Sequence, residues 1–184
     1  MNRIFEPSVF VSVPDGTEVS PYLNATGGAA AGLAPDSLGD MSIAAGRIAA
    51  GQRSWIHRHP AVNQVTQVLS GELCIWMREP HQREPYSLRL RSGQAAVCEA
   101  GTLLQLHNPG TRTARVLYIV SPSYVFEQAD GKTLYDEALL VAPDWATLAS
   151  MPDDHPALRI DRDEQLARRA TALRRLQERA RRGR

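Results

Sequence analysis

Short apolar runs broken by turn residues recur along the middle of the chain, and their lengths limit its possible folds more than any other feature. They are Ile43–Ala50, Val65–Leu69, Leu73–Met77, Ala95–Cys98, Leu103–Leu106 and Val116–Val120. Each has the length of a strand, and none is long enough for a helix that must bury one face. Between them fall Gly51-Gln52, Ser70-Gly71, Ser92-Gly93, Ala100-Gly101 and Asn108-Pro109-Gly110, the residue types that tight turns require. Six strands with no helix between them bury their apolar sides by packing sheet on sheet or by closing into a barrel. Pro14-Asp15-Gly16 reads as a further turn, and the Gly- and Ala-rich stretch from Thr26 to Gly32 is given no element. No internal repeat is visible, so one barrel is predicted rather than two.

At 184 residues the chain suffices for one domain with a sizeable core. No apolar run approaches the roughly 20 residues that cross a bilayer, so no membrane span is expected. The segment Met1–Pro7 lacks a basic leader followed by a long apolar stretch, and a cytoplasmic location is the expectation. Cys74 and Cys98 share no short spacing and lie in strand-like runs, which predicts buried, reduced thiols.

Charge is near balance at +1, but the last 27 residues hold ten Arg against Asp161, Asp163, Glu164 and Glu178. This asymmetry, with the linker-like Met151-Pro152-Asp153-Asp154-His155-Pro156, places a boundary near Ala157. The expected division is a barrel over 1–157 and an Arg-rich helix over 158–184. Just before the boundary, Pro143–Ser150 reads as a short helix capped by Asp144. Beyond it, Leu166, Ala170, Leu173, Leu176 or Gln177, and Ala180 recur at helical steps and form a narrow apolar stripe. Such a stripe docks on the barrel, on a second copy, or leaves its Arg face to an anionic partner. Pairing into a homodimer is the preferred expectation. Nucleic acid is not expected, because no aromatic residues interleave the arginines.

Candidate chemistry concentrates between Gly51 and Gly71. Residues two apart on a strand share a face, so His57 and His59 project to one side and can converge on a divalent ion. Gln64 comes after a bend at Pro60 and opens the next strand, where its carbonyl oxygen can reach the same ion. In phase with these residues, Trp55 and Thr66 are pocket candidates, against the plainer readings of core packing and strand propensity. Tyr118 and Tyr124 can reach a barrel mouth or simply pack. His81 reads as a solvated hairpin residue.

The segment resembles the first motif of the cupin family, in which a glycine, a His-x-His pair, a Glu and a second glycine stand at fixed spacing. Gly51, His57, His59 and Gly71 match, and Gln64 stands where the family has its Glu. The second motif is matched by Gly93, Gly101 and Asn108, with Glu99 in place of a Pro and Leu104 in place of the last His ligand. The resemblance implies an all-β, double-stranded β-helix, or jelly-roll barrel, followed here by the C-terminal α-helix. It also implies a site for Fe, Zn, Mn, Ni or Co, with Leu104 at the fourth position. A β-bulge between Gly101 and His107 would turn His107 toward that position, because one extra residue reverses the facing of the residues after it.

The implied function is a metal-dependent enzyme acting on a small organic acid or related metabolite. Three neutral donors leave the ion its full charge, which favours isomerase, lyase or cyclase chemistry on an anionic substrate over the dioxygenase chemistry of sites with a carboxylate ligand. The alternative is a non-catalytic sensor or binding protein whose metal site has decayed at Leu104. No catalytic residue is assigned.

Overall fold

The computed structural model describes Ile4, Glu6, Pro7, residues 9–24 and residues 40–182. The stretch 26–32 lies outside the described residues. The strands are β1 (Val11–Ser12), β2 (Glu18–Asn24), β3 (Ser42–Ile48), β4 (Ile56–Arg58), β5 (Asn63–Ser70), β6 (Glu72–Arg78) and β7 (Tyr86–Arg91). They continue as β8 (Ala95–Cys98), β9 (Leu103–His107), β10 (Ala114–Ser121), β11 (Phe126–Ala129), β12 (Lys132–Asp136) and β13 (Leu139–Ala142). Two helices come last, α1 (Trp145–Ala149) and α2 (Arg162–Arg182). No helix among the described residues is long and apolar enough to cross a membrane.

Two antiparallel sheets face each other, one of six strands in the order β1-β2-β3-β10-β5-β8 and one of five in the order β13-β4-β9-β6-β7. The β11–β12 hairpin forms a separate two-stranded sheet. This is the jelly-roll arrangement that the turn spacing and the motifs predict, with a C-terminal helix. All six predicted runs are strands, within a few residues at their ends. Their side chains alternate: on β10, Ala114, Val116, Tyr118 and Val120 are buried while the residues between them are more open. The inward set, including Ile48, Val68, Leu73, Ile75, Met77 and Leu106, fills the space between the sheets. Gly46 permits a close approach there. A Cβ at this position would come within 2.7 Å of Val116 and would also strike the Tyr118 ring.

Strands β7, β11 and β12 escaped the hydropathy reading for a physical reason. β7 is an edge strand in which only Leu90 is buried, and the hairpin buries a charged residue, Glu127, alongside Tyr135. Glu127 and Glu137 are both fully buried. The thiol expectation needs one correction. Cys98 is buried, and its burial pushes the thiol up to about 12, but Cys74 is only half-buried because it lies on the outer phase of β6. Both are free thiols.

Helix α1 starts where expected, with Asp144 accepting from the Thr147 amide at 2.7 Å. It packs Leu148 over Ile56, Leu103, Val141 and Ala142, on the outer side of the five-stranded sheet.

Helix α2 docks on its own chain. Ala172 and Leu176 are buried with Val125 and Tyr135, and Leu173 packs against them. The buried face runs Gln165, Arg169, Ala172, Leu176, so the predicted stripe is partly displaced: Leu166 and Ala170 are exposed, and the side chain of Ala180 lies outside the described set. The displacement has an electrostatic cause. Arg169 Nε donates to Glu137 at 2.9 Å, and Arg175 and Arg179 reach Glu127 at 2.7 and 3.1 Å. An apolar-periodicity argument excludes arginines from a docking face, whereas here they neutralise buried glutamates.

Candidate functional site

The interior beside the helix-backed hairpin is a cavity of about 420 Å³. His57, His59 and Gln64 all line it. His57 comes from β4, held between β9 and β13, and His59 lies just past that strand's end. Gln64 enters from β5 in the other sheet, paired with Val120 and Cys98. The two imidazole rings are 5.3 Å apart and tilted by 45°.

Local contacts orient each donor. His57 Nδ1 lies 2.9 Å from the Trp55 carbonyl, which only accepts, so Nδ1 carries a proton and donates it there. Gln64 Nε2 donates to Thr66 Oγ1 at 3.0 Å, which leaves the amide oxygen as the free end. His59 is buried, its ring makes no hydrogen bond among the described residues, and it meets Tyr124 edge-on at 5.8 Å. Its burial, reinforced by neighbouring His57, lowers its pKa from 6.5 to about 3.

That shift predicts a pH dependence for the metal-free protein. Between pH 6.5 and about 3 the unfolded chain holds a proton on His59 that the folded chain does not, so stability is present above this window and is lost as pH falls through it. Each pH unit in the window is expected to cost up to about 1.4 kcal/mol from this group alone. Urea unfolding at a series of pH values, with and without His59→Gln, measures it. An unchanged slope in the variant would reject His59 as the source.

The remaining expected residues are placed differently. Thr66 is buried and holds Gln64, but it does not line the cavity. Leu104 stands opposite His57 in the β4–β9 ladder and belongs to the apolar core, also off the cavity wall. Trp55 is 45% exposed, because β4 begins at Ile56 and strand alternation does not reach back to it. His107 does not reach the cavity either. β9 pairs with β4 and β6 without a register shift, so the bulge that would have turned His107 is not there. It sits on the opposite face, paired with Cys74 and bridged to Arg53.

Several cavity residues carried no site assignment from the sequence. Asp15, read only as part of a turn, places Oδ2 3.8 Å from His57 Nδ1, while its Oδ1 accepts from the Thr17 amide and hydroxyl at 2.8 Å each. Asp136 accepts from the Tyr124 hydroxyl and from the Ala138 amide. Tyr124 and Tyr118 both line the cavity, and Leu176 reaches it from α2. No local pattern marks Asp15 or Asp136, since each depends on a distant strand for its setting.

Among the described residues no three His, Cys, Asp or Glu side chains group so as to hold a metal ion. The donors expected from the sequence, His57, His59 and Gln64, line one cavity.

Residues 46–120 match the cupin domain family. No curated protein matches the chain in sequence. Among solved structures, the chain is similar to the CENP-C cupin domain of Drosophila melanogaster, with 18% identity, 61% of this chain and 74% of that chain covered, and a TM-score of 0.50. It is also similar to the capsular polysaccharide assembling protein CapF of Staphylococcus aureus, with 12% identity, 75% and 32% coverage, and a TM-score of 0.54. The match thus spans about a third of the CapF chain. Peruvianin-I, a cysteine peptidase of Thevetia peruviana latex, gives 21% identity, 65% and 68% coverage, and a TM-score of 0.50. At these identities the likenesses concern the fold. With the two sheets, the paired histidines and the matched segment in agreement, the chain carries a cupin domain over residues 46–120.

Proposed function

We propose that the cavity is the active site of a metal-dependent cupin enzyme acting on a small organic acid or related metabolite. The supporting observation is His59: a buried imidazole, neutral over the working pH range and with no hydrogen bond on its ring among the described residues, beside His57, whose Nδ1 is already engaged by the Trp55 carbonyl. A neutral ring that lines a cavity and has no protein hydrogen bond on its nitrogens is open to an ion or a ligand. A divalent ion bound by His57, His59 and Gln64 would supply Lewis-acid polarisation of a substrate oxygen, suited to isomerisation, elimination or cyclisation. The chain's own part is positional. Trp55 and Thr66 orient the donors, and Leu106, Val120 and Phe126 line the cavity with hydrocarbon.

Elemental analysis of the purified protein tests the metal. A first-row divalent metal is expected in the wild type and only background in His57→Ala/His59→Ala, with circular dichroism unchanged because neither imidazole builds the core. Full occupancy in the double variant would sink the assignment. A second reading is favoured by Leu104 lying opposite His57 where the family has a ligand. It is a binding protein without turnover, and it expects ligand binding with no metal in the wild type.

A further inference from the structure

The polar end of the cavity carries two carboxylates, and no lysine or arginine is among the described residues lining it. Asp136 receives both its hydrogen bonds, from Tyr124 and Ala138, on Oδ1, and Oδ2 accepts none among the described residues. Asp15 is arranged likewise. Its Oδ1 accepts twice from Thr17, while Oδ2 has only the longer approach to His57. Each carboxylate thus has one oxygen held by the protein and one left over. Buried His59 also lines the cavity, with no hydrogen bond on its ring among the described residues. A carboxylate oxygen that lines a cavity and has no protein donor is open to a donor brought by a ligand.

Much of the remaining lining is hydrocarbon. Phe126, Leu140 and Leu176 lie along the side formed by the hairpin, β13 and α2. A bare carboxylate entering there would meet two like charges and no cation of the chain's own among the described residues.

We propose that the ligand of this cavity presents a hydrogen-bond-donating head, an ammonium or a hydroxyl, to Asp136 and Asp15, and lays an apolar body along Phe126, Leu140 and Leu176. The inference rests on the reading of the cavity as the substrate pocket and specifies the substrate class. A substrate that is also an acid would then be an amino or hydroxy acid, its donor on the aspartates.

Calorimetry on full-length protein stripped with a chelator tests this with phenethylamine, phenethyl alcohol and phenylacetate, which share one apolar body. The amine is expected to bind most tightly, the alcohol next, and phenylacetate at least about tenfold more weakly than the amine. Asp136→Asn, whose amide oxygen can still accept from Tyr124 and Ala138, is expected to lower amine affinity about tenfold and alter alcohol binding little. Asp15→Asn is the second variant, with circular dichroism confirming that each is folded. Equal or tighter binding of phenylacetate, binding of none of the three, or unchanged amine affinity in both folded variants overturns the proposal. Because the titrations are run without metal, a missing metal site leaves their outcome intact. Conversely, a metal-loaded protein that ignores the amine defeats only the substrate class.

Discussion

Arg169→Met is expected to lower the free energy of unfolding by about 3–5 kcal/mol, because it leaves a buried charge without its partner. Glu137 is fully buried, and Arg169, itself mostly buried, meets it at 2.9 Å and also donates to the Ser123 carbonyl. Burial pushes the Glu137 carboxyl up, and Arg169 is the largest opposing influence. Removing the arginine alone leaves the full desolvation cost standing. Removing both charges removes that cost, so Glu137→Met combined with Arg169→Met is expected to recover most of the loss. Urea unfolding at constant slope reads both variants. A loss below about 1 kcal/mol for the single change would show that water reaches Glu137 and that the pair is a surface contact.

The second large effect concerns the whole helix. The hairpin that α2 covers has two faces: Phe126, Gln128 and Asp136 line the cavity, while Val125, Glu127, Tyr135 and Glu137 meet the helix directly or lie beneath it. Ending the chain after Ala157 removes the cover from one face and so releases the other. Loss of Ala172, Leu173 and Leu176 from the cluster is expected to lower stability by on the order of 3–5 kcal/mol. Hydrogen exchange across residues 123–138 is expected to rise to the level of an open loop, with β5 and β10 still protected. Equal protection of the hairpin in both chains would show that it stands without the helix. Sedimentation of the same pair tests the homodimer expectation. Since the buried part of the stripe is covered within the chain, both forms are expected to show the same oligomeric state, and a change on truncation would return α2 to a subunit interface.

Much of the scaffold was legible because it depends on short-range rules. Strand length, turn residues and alternation identified all six predicted strands, and Asp144 followed by Trp145 marked a capped helix. The same rules misplaced Trp55, since parity holds only where the backbone is actually extended. They also missed the hairpin, whose buried glutamates look like surface residues until their arginines are seen.

At the site, sequence alone nominated His57, His59 and Gln64, which line one cavity, because glycine spacing and a two-residue step are local facts. The tertiary structure decided the rest. Unbroken pairing of β9 keeps His107 on the far side, a matter of register that its residues do not encode by themselves. Strand order and helix docking bring Asp15, Asp136, Tyr124 and Leu176 to one cavity from opposite ends of the chain. Periodicity tells which way a side chain faces within its own element. Which distant side chain it then meets depends on the packing of whole elements, and here that packing was governed by buried ion pairs that hydropathy cannot register.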